Sequence, residues 1–281
     1  MQVIYDPQKL TLALKKLSKN KTIGFVPTMG ALHAGHLSLI KQAAHDNQIV
    51  LVSIFVNPTQ FGPGEDLKQY PRQLKKDVEL CREQLVDFVF QPDNKTMYPD
   101  GYSTFIDVEG LSRLLCGAFR PGHFRGVATV IAKLLNIVKP DNLYLGQKDA
   151  QQVVIIARLI KDLNFKVRLK IMPTVRYNDG LALSSRNIYL KKEERIEAVI
   201  LYKALQLAKS LVDNGQRNAL VIINRMRQLI AKKKLARVDY ISIVDLNNLK
   251  PLNKLSGNCL IALAVKIGKV RLIDNLMIDC I

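Results

Sequence analysis

The feature that most constrains this chain is an alternation over its first 175 or so residues: short β-rich runs take turns with segments whose apolar residues recur at helical spacing. The runs lie at 22–26, 49–56, 87–91, 142–145 and 165–172, and the helical patterns include 37–45, 74–85 and 127–138. Parallel strands cannot be joined by a tight turn, and a crossover long enough to reach the next strand usually holds a helix. The alternation therefore predicts an α/β fold, a Rossmann-like parallel sheet with helices on both faces. At the start of the chain, Asp6 and Pro7 read as the cap and first residue of a helix. In open sheets of this kind ligands bind beyond the carboxyl ends of the strands, so loops that follow strands are where chemistry is sought.

The pattern changes after the loop at 173–187. Two helices are expected at 191–212 and 216–234, with Gly215 suited to a helix C-terminus between them. Strands are expected at 238–244, 259–266 and 270–278, the last two joined at Gly268 in a hairpin. This predicts a smaller α+β domain and divides the chain into 1–175 and 176–281.

Charge tests the function classes. The chain carries 42 Lys and Arg against 24 Asp and Glu, a net charge of +18, which invites a nucleic-acid or anionic-lipid reading. The excess is spread over both parts: 23 basic and 15 acidic residues before position 176, 19 and 9 after it. Its densest run, Lys232 to Lys234, falls at an expected helix end where cations favour the dipole, and no aromatic residues are interleaved for base stacking. No specific nucleic-acid partner is expected. Cys81, Cys116, Cys259 and Cys280 are scattered and form no Cys-x-x-Cys pair, so neither a zinc site nor a disulfide framework is indicated. The first residues lack the apolar core of a signal sequence, and even 127–138 is too short and polar to span a bilayer. A cytoplasmic protein with reduced thiols and no membrane association is expected.

Four segments carry the chemistry. Residues 24–36 run from a strand through a glycine-containing turn into a helix, with His33 and His36 spaced to share one face near its start. A helix N-terminus offers unpaired N–H groups, and Gly35 removes a side chain where a phosphate would approach, so the segment reads as an anion site with two imidazole donors. A metal pair is the alternative, but a metal wants further ligands, and neither His45 nor His123 has a carboxylate partner fixed by spacing. Residues 53–62 hold Asn57 and Gln60, neutral amides suited to a small polar substrate, although Asn57-Pro58 also reads as a simple turn. Residues 144–152 place Lys148 and Asp149 after Gly146, with Gln152 about one helical turn beyond Lys148. Residues 178–187 combine Ser184, Ser185 and Arg186, donors for phosphate oxygens, with Gly180, which would permit loop movement. There is no Walker A motif, no Gly-x-Gly-x-x-Gly and no Gly-x-Ser-x-Gly.

Together these segments resemble the nucleotidyl-transferase superfamily with its His-x-Gly-His turn. More specifically, PTMGALHAGH, FVNPTQFGPGEDLKQYPR, LCGAFRPGHFRGVATV, KLLNIVKPDNLYLGQKDAQQ and LALSSRN are similar, in order, to the motifs of the pantoate:β-alanine ligases. The resemblance implies an AMP-forming carbon–nitrogen ligase of the coenzyme A precursor pathway. Pantoate and ATP would form a pantoyl adenylate with release of pyrophosphate, and β-alanine would then attack it to give pantothenate and AMP. It implies ATP binding by Met29, Gly30, Ala31, Leu32, His33, Ala34, Gly35 and His36, by Gly146, Gln147, Lys148 and Asp149, and by Val175, Leu183, Ser184, Ser185 and Arg186. His36, His33, Lys148 and Arg186 would be catalytic, with His36 at the family's general-acid position. Gln60 and Gln152 would bind pantoate, Gln60 also β-alanine. Asp77 matches a position that can contact Mg²⁺, the expected cofactor. Lys75 and Lys76 precede it where some relatives carry acids, which would leave Mg²⁺ chiefly to the phosphates of ATP. The resemblance also implies a homodimer built on the larger, nucleotide- and pantoate-binding domain, a lid-like smaller domain, and a closing loop at 57–70 that excludes water from a hydrolysable acyl adenylate. The rival readings are another nucleotidyl transferase, an aminoacyl-tRNA synthetase fragment and an RNA-binding module.

Overall fold

The computed structural model describes residues 1–17 and 20–280. In chain order they form β1 (Gln2–Ile4), α1 (Pro7–Leu17), β2 (Ile23–Thr28), α2 (Ala34–Asp46), β3 (Ile49–Ile54), α3 (Leu74–Glu83) and β4 (Phe88–Phe90). There follow α4 (Asn94–Met97), α5 (Cys116–Phe119), α6 (His123–Val138), β5 (Asn142–Gly146), α7 (Ala150–Asp162) and β6 (Arg168–Met172). The remaining elements are α8 (Lys192–Ala198), α9 (Ile200–Asp213), α10 (Ala219–Ile230), β7 (Ala236–Asp245), β8 (Gly257–Ile267) and β9 (Val270–Cys280). They divide into two compact units. One comprises 1–112, 120–146 and 155–173; the other comprises 113–119, 147–154 and 174–281.

The first unit is built on a six-stranded sheet in the order β1-β4-β3-β2-β5-β6, and every neighbouring pair is parallel. The α/β fold expected from the alternation is therefore present. Strand β3 is buried along its whole length and β2 nearly so, which explains their unbroken apolar character. The strand order reverses at β2: the chain moves to β3 on one side and later places β5 on the other. Such a switch point opens a crevice at the carboxyl ends of the flanking strands, here Thr28 and Gly146.

Helix α2 is seated on the sheet by a buried polar cluster as well as by apolar packing of Leu39, Ile40 and Ala43. The Asn47 side chain donates to Tyr144 Oη (2.8 Å), Tyr144 Oη donates to Asp46 Oδ2 (2.9 Å), and Asn142 Nδ2 donates to Asn47 Oδ1 (2.7 Å). Burial, aided by the neighbouring Asp46 carboxylate, pushes the Tyr144 phenol up to about 12, so it remains a donor at any physiological pH. Gly24 of β2 faces this cluster, where a Cβ would collide with the Asn47 amide. Helix α1 starts at Pro7 with the Lys9 amide donating to Asp6 Oδ1 (2.8 Å), as the Asp-Pro pair implied.

The second unit holds an antiparallel sheet, β7-β8-β9, with α9 and α10 packed on it and Ala204, Leu205, Ile222, Met226, Ile243 and Leu263 in its core. The hairpin at Gly268 is present, with that residue at φ +56°.

The structure differs from the sequence reading at several element ends, in one added strand and in one interrupted helix. β1 is too short to show a pattern and is a strand only through its pairing with β4. Residues 165–167 close the turn after α7 rather than opening β6, because the Phe165 amide donates to the Ile160 carbonyl. The helix read at 191–212 is interrupted at Val199, and α6 starts at His123, four residues earlier than its apolar period.

Early in α6 lies Gly126, where a Cβ would overlap the Thr59 carbonyl oxygen and come within 2.6 Å of the Gln60 amide nitrogen. The helix and the short 3-10 turn at Pro58–Gln60 thus touch backbone to backbone. Gly126→Ala should force the two apart and lower unfolding stability by about 1–3 kcal/mol, measured by urea denaturation. A variant as stable as the parent would show that the turn is free to shift.

Candidate active site

In the first unit, the turn after β2 is held by three hydrogen bonds to two side chains. The Gly30 amide donates to Thr28 Oγ1 (3.2 Å), and the Ala31 and Leu32 amides donate to Asp77 Oδ2 (2.9 Å) and Oδ1 (2.8 Å). Gly30 and Ala31 both have positive φ, +79° and +50°. His33 is then the N-cap residue of α2, not its first helical residue. Its Nδ1 accepts from the Gly35 amide (3.2 Å), while His36 Nδ1 accepts from the His33 amide (3.4 Å), a capping box made by two imidazoles.

This differs from the expected row of unpaired helix amides, because the His33 and Gly35 amides are capped internally. The difference has a chemical consequence. A backbone N–H can only donate, so each Nδ1 is unprotonated, and in a neutral ring the proton resides on Nε2. The two rings lie 4.1 Å apart between centroids and are half-buried. The backbone thus sets which nitrogen of each imidazole carries the proton of the neutral ring.

Gln60 is brought to the same turn, with Nε2 2.8 Å from Met29 Sδ. Its orientation is imposed by Asn57, whose Nδ2 donates to Gln60 Oε1 (3.1 Å) and to the Gly126 carbonyl (3.2 Å). Asn57 Oδ1 in turn accepts from Thr59 Oγ1 (2.9 Å) and Tyr98 Oη (2.8 Å). Asn57 is only 1% exposed, so its amide is an internal brace and the turn reading of that residue prevails. The Gln60 carbonyl also contacts His123 Nδ1 (2.8 Å), and Arg120 reaches both His123 Nε2 (3.1 Å) and Glu65 Oε1 (2.7 Å).

Sequence reasoning passed over Arg120, His123 and Glu65 as site residues. Their available signal was the Arg-Pro-Gly-His run before an apolar helix, which carries charged groups where packing alone would not require them. Within residues 57–70, Glu65 is ion-paired with Arg120, Phe61 stacks edge-on against Tyr70 at 5.8 Å, and Tyr70 is buried.

In the second unit, Gln147, Lys148 and Asp149 form a 3-10 turn that ends β5's connection to α7. Lys148 and Gln152 thus span a 3-10 turn and an α-helix, so the i, i+4 rule of one regular helix does not relate them. Asn275 of β9 pins the turn by donating to the carbonyls of Gln147 and Lys148, both at 2.9 Å. Lys148 Nζ lies 3.5 Å from Asp149 Oδ1.

The loop at 174–187 doubles back on itself, with the Leu183 amide donating to the Val175 carbonyl (3.0 Å). Arg176 anchors it through a forked pair to Asp274 (2.6 and 2.9 Å) and a bond to the Gly180 carbonyl (3.0 Å). Gly180 has φ +93° and presses against Tyr202, whose ring a Cβ would overlap. Close packing, not loop movement, is what this glycine serves. Ser184 caps a 3-10 turn at Ser185–Tyr189 by accepting from the Arg186 amide (3.3 Å). Asn275 and Arg176 had no local signal, since their partners lie far away in sequence.

Residues 2–277 match the family model described as pantoate-beta-alanine ligase. The chain belongs to the pantoate–β-alanine ligase family. It is 55% identical to the pantothenate synthetase of Fervidobacterium nodosum over 96% of each chain. It is 54% identical to that of Thermosipho africanus over 94% of this chain and 97% of the relative. The crystal structure of pantothenate synthetase from Thermus thermophilus superposes with a TM-score of 0.94 at 42% identity, covering 98% of this chain and 99% of that one. A pantoate-beta-alanine ligase from Francisella tularensis, complexed with beta-gamma ATP and beta-alanine, superposes with a TM-score of 0.82 at 40% identity over 99% of this chain and 97% of that one. The protein is thus a ligase that forms pantothenate.

The Mg²⁺ contact expected at Asp77 does not suit the surroundings of that residue. Asp77 has both carboxylate oxygens engaged by backbone amides and is 1% exposed, which leaves no room for the water-rich octahedral shell that Mg²⁺ prefers. Among the described residues no three His, Cys, Asp or Glu side chains gather as a metal site. The side chains of this enzyme do not fit a resident Mg²⁺ at Asp77.

The ion pair of Glu65 can be read by pH. Burial alone would raise its carboxyl, but the hydrogen bond and charge of Arg120 outweigh this and hold it below its ordinary 4.5. The pair's contribution should be complete above 4.5 and disappear as pH falls through the lower value of the folded state. The stability difference between the parent and Glu65→Gln, followed by urea denaturation from pH 6 downward, should therefore shrink in acid. A difference that stays constant would show that Arg120 does not stabilise the charged form.

Proposed function

We propose that this ligase works through a pantoyl adenylate, with His33 and His36 acting on the phosphates of ATP. The pantoate carboxylate oxygen attacks the α-phosphorus, the bond from that phosphorus to pyrophosphate breaks, and a mixed anhydride forms. The amine of β-alanine then attacks the acyl carbon, loses a proton and displaces AMP, leaving pantothenate. The single observation that carries this reading is the imidazole capping box, in which backbone amides engage both Nδ1 atoms and so leave the proton of each neutral ring on Nε2. Aligned donors are what a carboxylate attacking a triphosphate requires, because like charges must be brought together before the bond can form.

In this reading ATP takes Met29 to His36, Gly146 to Asp149, Val175 and Leu183 to Arg186. Lys148 and Arg186 offset the charge that develops during transfer. Gln60 and Gln152 hold pantoate, and Gln60 also lies near β-alanine. With Oε1 fixed by Asn57, Gln60 offers Nε2 as a donor, which suits a hydroxyl or carboxylate oxygen of pantoate. Mg²⁺ enters as the counter-ion of the nucleotide. The enzyme functions as a homodimer in the cytoplasm, a setting compatible with its four free, buried cysteines. Residues 1–175 carry pantoate binding and most of the ATP contacts, and the smaller accessory domain, 176–281, supplies Leu183 to Arg186.

Labelled pyrophosphate should exchange into ATP only when pantoate is supplied, and AMP should appear only after β-alanine is added. Exchange driven by an amino acid in place of pantoate would overturn the reading. His36→Gln keeps an acceptor at the third helical position and should preserve the fold, with a melting temperature within a few degrees of the parent. It should nonetheless lose roughly 100-fold or more in exchange turnover. Parental exchange in that folded variant would remove His36 from the chemistry. Gln60→Ala should raise the pantoate KM or lower turnover, and parental values for both would remove Gln60 from the pantoate site.

A further inference from the structure

We infer that Asp77 is a positioning residue for the nucleotide site: its buried carboxylate holds the Gly30–Leu32 turn that sets His33 and His36, and it does not ligate metal. This rests on the reading that the two histidines act on the phosphates. Asp77 stands in the first turn of α3, 1% exposed, and divides its two oxygens between consecutive amides of the turn after β2. Those amides converge because Gly30 and Ala31 both have positive φ, a backbone shape that forms a concave nest for an anion. The carboxylate fills that nest from within the protein.

The fit is close enough to constrain the turn residue by residue. A Cβ on Gly30 would stand 2.9 Å from Asp77 Oδ2, so the glycine is required by the carboxylate as well as by its own φ. Leu32, whose amide binds Oδ1, immediately precedes the N-cap histidine. A shift of the turn therefore moves the Nδ1 bonds that set both imidazole tautomers. Burial pushes the Asp77 carboxyl upward while the two amides oppose it, a balance that rewards keeping both bonds. The Ala31 and Leu32 amides, being engaged by this carboxylate, are not the groups that receive phosphate.

Asp77→Asn is isosteric but replaces one acceptor with an NH₂ that faces a backbone N–H, donor against donor. The full-length variant and parent should be compared in pantoate-dependent pyrophosphate exchange at fixed MgATP and varied free Mg²⁺. Positioning predicts turnover reduced roughly tenfold or more, with the half-saturating free Mg²⁺ within about twofold of the parent and no recovery at high Mg²⁺. A higher Mg²⁺ requirement with turnover restored at saturation would establish ligation and overturn the inference. Parental turnover at every Mg²⁺ would overturn it too.

In case the variant does not fold, the nucleotide-free parent provides a second measurement, Mn²⁺ broadening of amide NMR signals. A metal on Asp77 would selectively broaden Ala31 and Leu32, whose nitrogens lie within 2.9 Å of its oxygens. The inference predicts no such selectivity, and its appearance would refute it. If His36→Gln loses exchange while Asp77→Asn keeps it, the positioning role alone fails; if His36→Gln keeps exchange, the underlying assignment of the histidines fails.

Discussion

Strand β2 is hydrogen-bonded in parallel to β3 on one side and β5 on the other, and the placement of the first unit's site residues depends on that arrangement. Because both neighbours are parallel, all three carboxyl ends open at the same edge of the sheet. The chain leaving β2 makes the turn that carries His33 and His36, the chain leaving β3 makes the turn that carries Gln60, and the chain leaving β5 passes to the second unit after Gly146. Helix α2 has its position on the sheet fixed by the Asn47–Tyr144–Asp46 cluster, so the histidines at its start inherit the rigidity of the core.

Within each unit, the candidate groups are oriented by polar residues with internal hydrogen bonds. Asp77 organises the histidine turn, Asn57 orients Gln60, and in the second unit Asn275 holds the carbonyls flanking Lys148 while Arg176 and Asp274 secure the loop before Ser184. Apart from the partly exposed Arg176, each brace is a buried polar residue with several partners, and such residues are costly to leave half-bonded. The forked Arg176–Asp274 pair, its carboxylate buried and its guanidinium partly exposed, ties the loop to β9. The net charge of +18 has a smaller part in this: a few cations belong to these sites, and the remainder has no structural assignment among the described residues.

The parallel sheet and the antiparallel hairpin were legible because helical and strand periodicities are local properties of the chain. The strand edges were less so, because residues 165–167 and β1 are decided by hydrogen bonds to other segments. The His-x-Gly-His turn and the Asn-Pro-Thr-Gln segment were visible as candidates, yet their roles diverged in a way that spacing cannot express. Asn57 and Gln60 are equally amide-bearing, and only their packing against α6 at Gly126 makes Asn57 the brace that fixes Gln60 Oε1.

By itself the sequence determined the α/β alternation, the hairpin unit and the ordered motifs of the ligase family, since each is written within a short stretch of neighbouring residues. Only the tertiary structure decided which atoms of those motifs are engaged by internal hydrogen bonds. Asp77 meets Ala31 across 46 positions, and Asn275 meets the Lys148 carbonyl across 127. Hydrogen bonds at such separations leave no periodicity in the chain, and they engage the Ala31 and Leu32 amides with the Asp77 carboxylate, whereas the imidazole caps are local contacts two and three residues apart whose geometry the spacing alone does not show.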